Sequence, residues 1–460
     1  MGETLRYYPL EKTIAKWYIL LLPLRMLSPI GVGTGVLSAV SVYFDFLLHF
    51  LGMAVLLVRS GGKFRTTRHT SLFGILIGFL LLISFSMSVV LLNKLGTLDG
   101  ENTLDAIVGP TIYYVQYFFI VLYNVNIFGM FTIDEIDRLL GKTVKWQLLL
   151  GYVQIAVCIG IGVVSAVYDG LDVFDVFRDS SYIQRITRIP LAGSEPASAG
   201  CVIGILVFPY LLGKILQGQR QKQYVLQLLL WLPVVYFTKS STCYILVVTD
   251  LLVFMVLYIR NRRVIRSTGI LFALVAVVVG LVLVLSTDMA DDNELVERIR
   301  YLLFEKATDR NNESSVTRTI PTHINFQIFQ RYPILGIGNG NQGFFYEEFF
   351  PAWGKISINT FKKISGVADG GVFVPSLFSG FGIVGVTAVA LFAVSYVRKV
   401  LRDKEKLDVM YYVFMIAGCA FVVNGFQSDY FGNYLAVFMM SIPGMANCCK
   451  ASKTSQLQGE

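Results

Sequence analysis

The chain has 460 residues and a net charge of +8; 55% of its residues are hydrophobic and only 15% charged, against roughly 25% in soluble proteins. With repeated apolar runs long enough to cross a bilayer, this composition excludes a water-soluble enzyme built around one core and defines a polytopic membrane protein. The basic excess fits the Lys and Arg that membrane proteins concentrate on the cytoplasmic side, and no basic run with interleaved aromatics suggests nucleic acid as a partner.

The N-terminal stretch MGETLRYYPLEKTIAK carries charge up to Lys16, and the apolar run after it has no small-residue cleavage site, so it does not read as a secretory signal. In chain order, hydropathy predicts spans at 14–28, 36–58, 71–92, 107–130, 146–168, 197–213, 224–238, 242–259, 268–286, 372–396, 410–426 and 431–447. The first is short and contains Pro23 and Arg25, and the seventh is also short, so the count of about twelve is good to one or two. Charge tests it: with the N-terminus cytoplasmic, the cytoplasmic segments hold twenty-four Lys and Arg, while the short loops opposite hold Lys94 and Lys239. One span more or fewer would invert part of this bias. The expected fold is therefore all-α, with both termini cytoplasmic and a polar tail at 448–460. Of the six cysteines, Cys158, Cys201, Cys243 and Cys419 sit in apolar segments and Cys448 and Cys449 end the last one; neither disulfides nor zinc are expected.

Spans one to nine fill 1–286 and the last three fill 372–447, which leaves a long extracytoplasmic loop at 287–371 and a shorter one at 169–196. A loop of that length in a compact bundle is usually functional. Within it, 291–307 has acidic residues in its first turn and Leu295, Ile299, Leu302 and Leu303 on one face, an amphipathic helix. The stretch 315–330 reads as a second helix starting near Pro321, and Pro333 with Gly336, Gly338, Gly340 and Gly343 breaks it.

Three polar constellations stand out. In QRITRIPLAGSEPASAG (184–200), Arg185 and Arg188 precede Glu195 and Pro196 at a helix start, where free N–H groups and bidentate arginines suit phosphate; the same residues also read as a capped helix with interfacial arginines. Arg318 and Arg331 flank a glycine-rich stretch whose backbone a ligand could approach closely; the alternative is a plain loop with surface arginines. GIGNGNQG has no βαβ setting, so it is not a dinucleotide fingerprint. In TKSST (238–242), Lys239 either lines a cavity or snorkels. Within spans, Asp45, Asp250 and Arg25 are charged; such residues face protein or water, and Asp45 and Arg25 could pair. His49, His69 and His323 read as structural, with only His323 near the outer arginines.

In this order, an arginine loop followed by SEPASAG, the TKSST turn, TRTIPTHINFQIFQRYPILGIGNGN and then GFGIVG, the chain resembles the O-antigen ligase/polymerase superfamily, most of all the Wzy-type polymerases. Arg188, with Arg185 as rival, resembles the family's arginine before a Gly/Pro-containing helix start. Arg318 resembles its arginine on the helix ahead of P-x-x-G-x-G, here Pro333, Gly336 and Gly338. Two departures matter. The polymerase spacing of ten residues between Arg and Gly is eleven in both loops, Arg188 to Gly200 and Arg331 to Gly343. The ligase histidine falls on Gly371 when its Gly-x-x-Gly is set on Gly382 and Gly385.

The resemblance implies a GT-C-like membrane glycosyltransferase of the bacterial plasma (inner) membrane. It would polymerise undecaprenyl-diphosphate-linked repeat units at the outer face, without metal or cofactor, with the bilayer and the lipid-linked glycan as partners and a chain-length regulator as a candidate further one. Arg188 and Arg318 would stabilise the leaving diphosphate. A base for the acceptor hydroxyl needs a carboxylate or His: Glu195 first, with Asp369 and His323 behind it. Arg185, Arg331, Lys239, Gly336 and Gly338 complete the expected substrate-binding set. The alternatives are a ligase, which the missing histidine disfavours, and a transporter or flippase, for which repeat halves and paired intramembrane charges are lacking.

The topology is directly testable. Cysteines placed at Glu313 and Arg65 in an otherwise cysteine-free chain should react with an impermeant reagent from outside and inside respectively. The reverse pattern would sink the assignment of sides.

Overall fold

The structure is a computed structural model that describes residues 9–23, 44–62, 64–159, 189–191, 196–218, 220–260, 313–351, 371–427, 441, 442 and 445. The regular elements among the described residues are helices, with one isolated bridge between Leu98 and Glu101. The helices are α1 (Pro9–Leu20), α2 (Phe44–Arg59), α3 (Arg68–Leu95), α4 (Thr103–Ala106), α5 (Val108–Phe128), α6 (Ile133–Cys158), α7 (Pro196–Gln217), α8 (Gln221–Thr238), α9 (Ser241–Arg260), α10 (Glu313–Arg331), α11 (Tyr346–Phe349), α12 (Phe373–Arg402), α13 (Lys404–Leu407) and α14 (Val409–Asn424). Five stretches are long and apolar enough to cross a membrane: α3, α4 with α5, α7, α9 and α12. Within α2, His49–Val58 is a shorter apolar stretch, as is α14. The expected span 268–286, most of 431–447 and the amphipathic segment 291–307 lie outside the described residues.

Three boundaries differ from the sequence reading. Helix α6 starts thirteen residues before the expected span at 146, because Thr132 and Glu135 form a reciprocal capping box and Ile136, Leu139, Leu140 and Val144 bury one face of the added turns. Helix α12 runs on to Arg402, so Arg398 and Lys399 are helical rather than loop residues. Helix α10 is already helical at Glu313, where its described residues begin, rather than starting near Pro321; the proline sits in its interior. An interior proline removes one backbone donor, at a cost of about 3 kcal/mol or more. Here Pro321 packs against Gly371, and its carbonyl accepts the Asn325 side-chain amide at 2.8 Å.

Helix α7 forms the centre of the bundle, with Ile203, Ile205, Val207, Leu211, Leu212 and Ile215 fully buried. In lipid the apolar effect does not drive helices together, so close packing by small residues does. Gly200 and Gly204, four apart, lie against α9: a Cβ on Gly200 would fall 2.7 Å from the Cys243 nitrogen, and one on Gly204 2.4 Å from Leu246 Cβ. Ile203–Val207 adopts a π-turn inside this helix. Asp250 on α9 is also fully buried, and neither carboxylate oxygen has a hydrogen-bond partner among the described residues. Of the other in-span charges, Arg25 and the Asp45 side chain lie outside the described set.

The feature that positions the candidate site is a break in α12. At Gly382 the backbone swings to φ 58°, ψ −166°. That turn breaks two helical hydrogen bonds, which would run from Ile383 to Ser379 and from Val384 to Gly380. The glycine-rich segment after α10 takes over all four groups. Ile337 N–H donates to Ser379 O and Gly338 N–H to Gly380 O, each at 2.9 Å; Ile383 N–H donates to Pro333 O at 2.8 Å and Val384 N–H to Ile334 O at 3.2 Å. Unpaired peptide groups are costly when shielded from water, and this segment pairs all four as a two-sided splint.

The close approach explains the glycines. A Cβ on Gly336 would lie 2.4 Å from Ser379 O, on Gly338 2.8 Å from Ser84 O, and on Gly340 2.5 Å from Ala106 O. All three have positive φ, which a side chain would strain. Gly382 faces Ile334 O at 2.3 Å by the same measure. We therefore expect Gly382→Ala to lower the melting temperature of the detergent-solubilised protein sharply. Gly78→Ala on α3, where nothing lies within 4 Å, should leave it unchanged or raise it. Equal melting temperatures for the two variants would show that the splint contributes nothing to stability.

Candidate functional site

The site is built on α10, the 332–343 segment and the first turns of α12. Helix α10 buries Val316, Ile320, Ile324 and Ile328 in an apolar cluster with Leu91, Ile337, Phe345 and Tyr346. Its neighbouring face carries Arg318, Thr322 and Asn325, spaced by four and three residues and so close to one line along the helix. Thr322 Oγ1 donates to Arg318 O at 2.7 Å, and Arg318 is half-buried. Asn325 is fully buried and accepts from Ser379 Oγ on α12.

From Ser379 a network of neutral amide and hydroxyl side chains spreads. Gln342 Nε2 donates to Ser379 Oγ at 3.3 Å and to Asn339 Oδ1 at 3.1 Å. Gln342 Oε1 accepts from Gly340 N–H at 2.8 Å. Asn339 reaches Tyr114 on α5 through its Nδ2 at 3.3 Å, and its backbone N–H donates to Ser84 Oγ on α3 at 3.1 Å. Asn341 Nδ2 donates to Ser88 Oγ at 2.7 Å. These bonds tie α3, α5, α10 and α12 to one loop. Each is stronger in apolar surroundings than in water, and each is costly to leave half made.

The expected site residues divide into groups. Arg318 and His323 are both half-buried on α10, beside the network. Gly336 and Gly338 lie in the splint, and the space next to them is filled by the chain's own backbone. Arg331 is exposed, ion-paired with the exposed Glu348, and placed over the rings of Tyr332 and Phe349 at 5.7 and 5.9 Å. Lys239 lies elsewhere. It ends α8 in a left-handed conformation (φ 45°), with its N–H donating to Tyr236 O at 3.1 Å. Arg185, Arg188, Glu195 and Asp369 lie outside the described residues.

The backbone next to Arg188 is nevertheless placed. Ile189 N–H donates to Phe237 O at 3.0 Å, two residues before Lys239. Leu191 is held by Gln154 through a paired contact, its N–H to Oε1 at 2.9 Å and its carbonyl from Nε2 at 2.8 Å. A chain of contacts links this region to α10. Cys201 on α7 donates to Asn424 on α14 at 3.7 Å, Gly425 O accepts from Val374 N–H at 2.8 Å, and Gly371 packs on Pro321.

Asn325, Ser379, Gln342, Asn339 and Tyr114 were not among the expected site residues. One signal existed: Ser84 and Ser88, four apart in the apolar middle of α3, lie on one face of that helix. The asparagines and glutamine of GIGNGNQG carried no periodicity that could name their partners.

All-helical architecture with several apolar helices of membrane-crossing length defines the chain as a multi-pass membrane protein. Residues 226–363, from α8 through the glycine-rich segment, match the family described as O-antigen ligase, whose members are membrane enzymes acting on lipid-linked glycans. The match supports the O-antigen ligase/polymerase superfamily and does not separate polymerase from ligase. No curated relative matches the chain.

If the polar network fixes α10 on the bundle, Gln342→Leu should cost about 1–3 kcal/mol by stranding Gly340 N–H and the partners of its amide. Melting in detergent measures this. A loss indistinguishable from that of exposed Glu347→Gln would show that the network is incidental.

Proposed function

We propose that the protein is a polymerase of lipid-linked repeat units, acting at the outer face of the bacterial plasma membrane on undecaprenyl-diphosphate-linked glycan. The hydroxyl of the incoming unit attacks the anomeric carbon of the growing chain. The bond from that carbon to the carrier breaks, and undecaprenyl diphosphate leaves. Arg188 and Arg318 would hold the developing negative charge as planar, bidentate donors, with Arg185 and Lys239 in support. The acceptor proton would pass to a carboxylate, Glu195 by preference, or else to Asp369 or His323.

One observation carries the choice of branch. The position that the ligase pattern gives to histidine is Gly371, and that glycine has φ +63°. A Cβ there would lie 2.9 Å from Pro321 Cγ. A histidine at this point would be strained and would push against α10, so the chain is built around its absence. The family's description as O-antigen ligase favours the second reading, transfer of finished glycan to a final acceptor. A transporter has no specific observation in its favour.

Deletion in the producing bacterium tests the reading. Loss of a polymerase should leave single repeat units on the final acceptor, with no ladder on a gel of the surface glycan. Long glycan accumulating on the carrier would assign the ligase role instead. In the same assay, Arg188→Ala or Arg318→Ala should abolish long chains while leaving the protein in the membrane. Lys at either position should rescue poorly, since an ammonium cannot form the same fork. Ordinary chain lengths in both Ala variants would remove the arginines from the mechanism.

A further inference from the structure

The exposed stripe of α12 stops at the helix break. Past Gly382, Ile383, Thr387, Ala390, Leu391 and Val394 are exposed at helical spacing, the lipid-facing side of a membrane-crossing helix. Before the break, from Phe373 to Gly382, α12 has no exposed residue. Helix α10 and the splint cover it there, with Phe326 and Phe329 packed on Phe378 at ring distances of 6.4 and 5.3 Å. The outward face is taken over by the loop itself: Ile334 is 65% exposed and Leu335 40%, beside Ile383 at 49%. Pro333 is exposed as well.

Depth follows from helix geometry. A hydrocarbon layer of about 30 Å takes about 20 residues at about 1.5 Å each. Counted back from Arg398, the first charged residue of α12, the layer ends near Phe378. The hydrogen bonds from Ile383 and Val384 to Pro333 and Ile334 therefore lie about 8 Å inside it. Between Arg331 and Glu347 the chain has no charged residue. Arg331, paired with Glu348 and set over Tyr332 and Phe349, has the make-up of a side chain at the headgroup boundary.

We infer that residues 332–343 form a re-entrant segment within the bilayer, and that Pro333, Ile334 and Leu335 are a lipid-contacting tip that continues the lipid face of α12. The partner is bilayer hydrocarbon. The segment thus works in two directions: its glycines and amides close the helix break, and its three apolar residues replace the outward surface that the break removed.

The wild-type protein, reconstituted in liposomes containing a phospholipid with a diazirine on its acyl chain, should give adducts at 333–335 on illumination, as at Leu391. Spin labels at Ile334→Cys and Leu335→Cys, in a cysteine-free background, then read the surroundings. Both should match Leu391→Cys in favouring oxygen over a water-soluble nickel chelate, several-fold above Glu347→Cys. Chelate access at the level of Glu347→Cys would place the tip in water and overturn the inference. Low access to both reagents, with no lipid adducts at 333–335, would mean protein covers the tip and would overturn it equally.

Discussion

Four peptide groups at one point in α12 govern the arrangement around the candidate site. Gly382 releases two carbonyls and two N–H groups from the pairing of a regular helix. Each would cost several kcal/mol if left bare. The chain meets this by returning 333–338 to the break and pairing all four. The location of that segment fixes where α10 ends, and the end of α10 fixes the line of Arg318, Thr322 and Asn325. A break at a glycine in one helix thereby sets the position of α10.

Stiffness around the break comes from neutral polar side chains. Ser84, Ser88, Tyr114, Asn325, Asn339, Asn341, Gln342 and Ser379 bind one another or backbone across four helices. Neutral partners suit a low-dielectric setting because no ion has to be desolvated. Uncharged amides and hydroxyls hold this scaffold, while Arg331 stands apart from it in an exposed ion pair with Glu348.

Helix α7 gives the other half its rigidity by a different device. Gly200 and Gly204 bring it against α9 at backbone distance, and its C-terminal half packs on α14 through Gly213 and Val413. The segment that follows Arg188 is tied to α6 and α8 through Leu191 and Ile189. The contacts from Cys201 to Asn424, from Val374 to Gly425 and from Gly371 to Pro321 join this half to α10. The backbone at Ile189 and Leu191 and the helix α10 are thus held on connected parts of one frame.

Local chemistry in the sequence was enough to establish a helical membrane protein, the positions of most described helices, and a family resemblance carried by Arg318, Pro333, Gly336 and Gly338. These follow from apolar run length and from residue order, which need no knowledge of contacts. The same chemistry misplaced the start of α10, because proline is favoured in a first turn, whereas here it stands in a helix interior with Gly371 packed on its ring. It also left the glycines of the 331–344 stretch open between ligand approach and a plain loop. Only tertiary structure showed that Gly336 meets Ser379 and Gly338 meets Ser84, since a glycine's neighbour is set by which distant backbone comes close, and no local pattern encodes that. The break at Gly382 was hidden for the same reason: it is stable only because a segment more than forty residues earlier completes its hydrogen bonds.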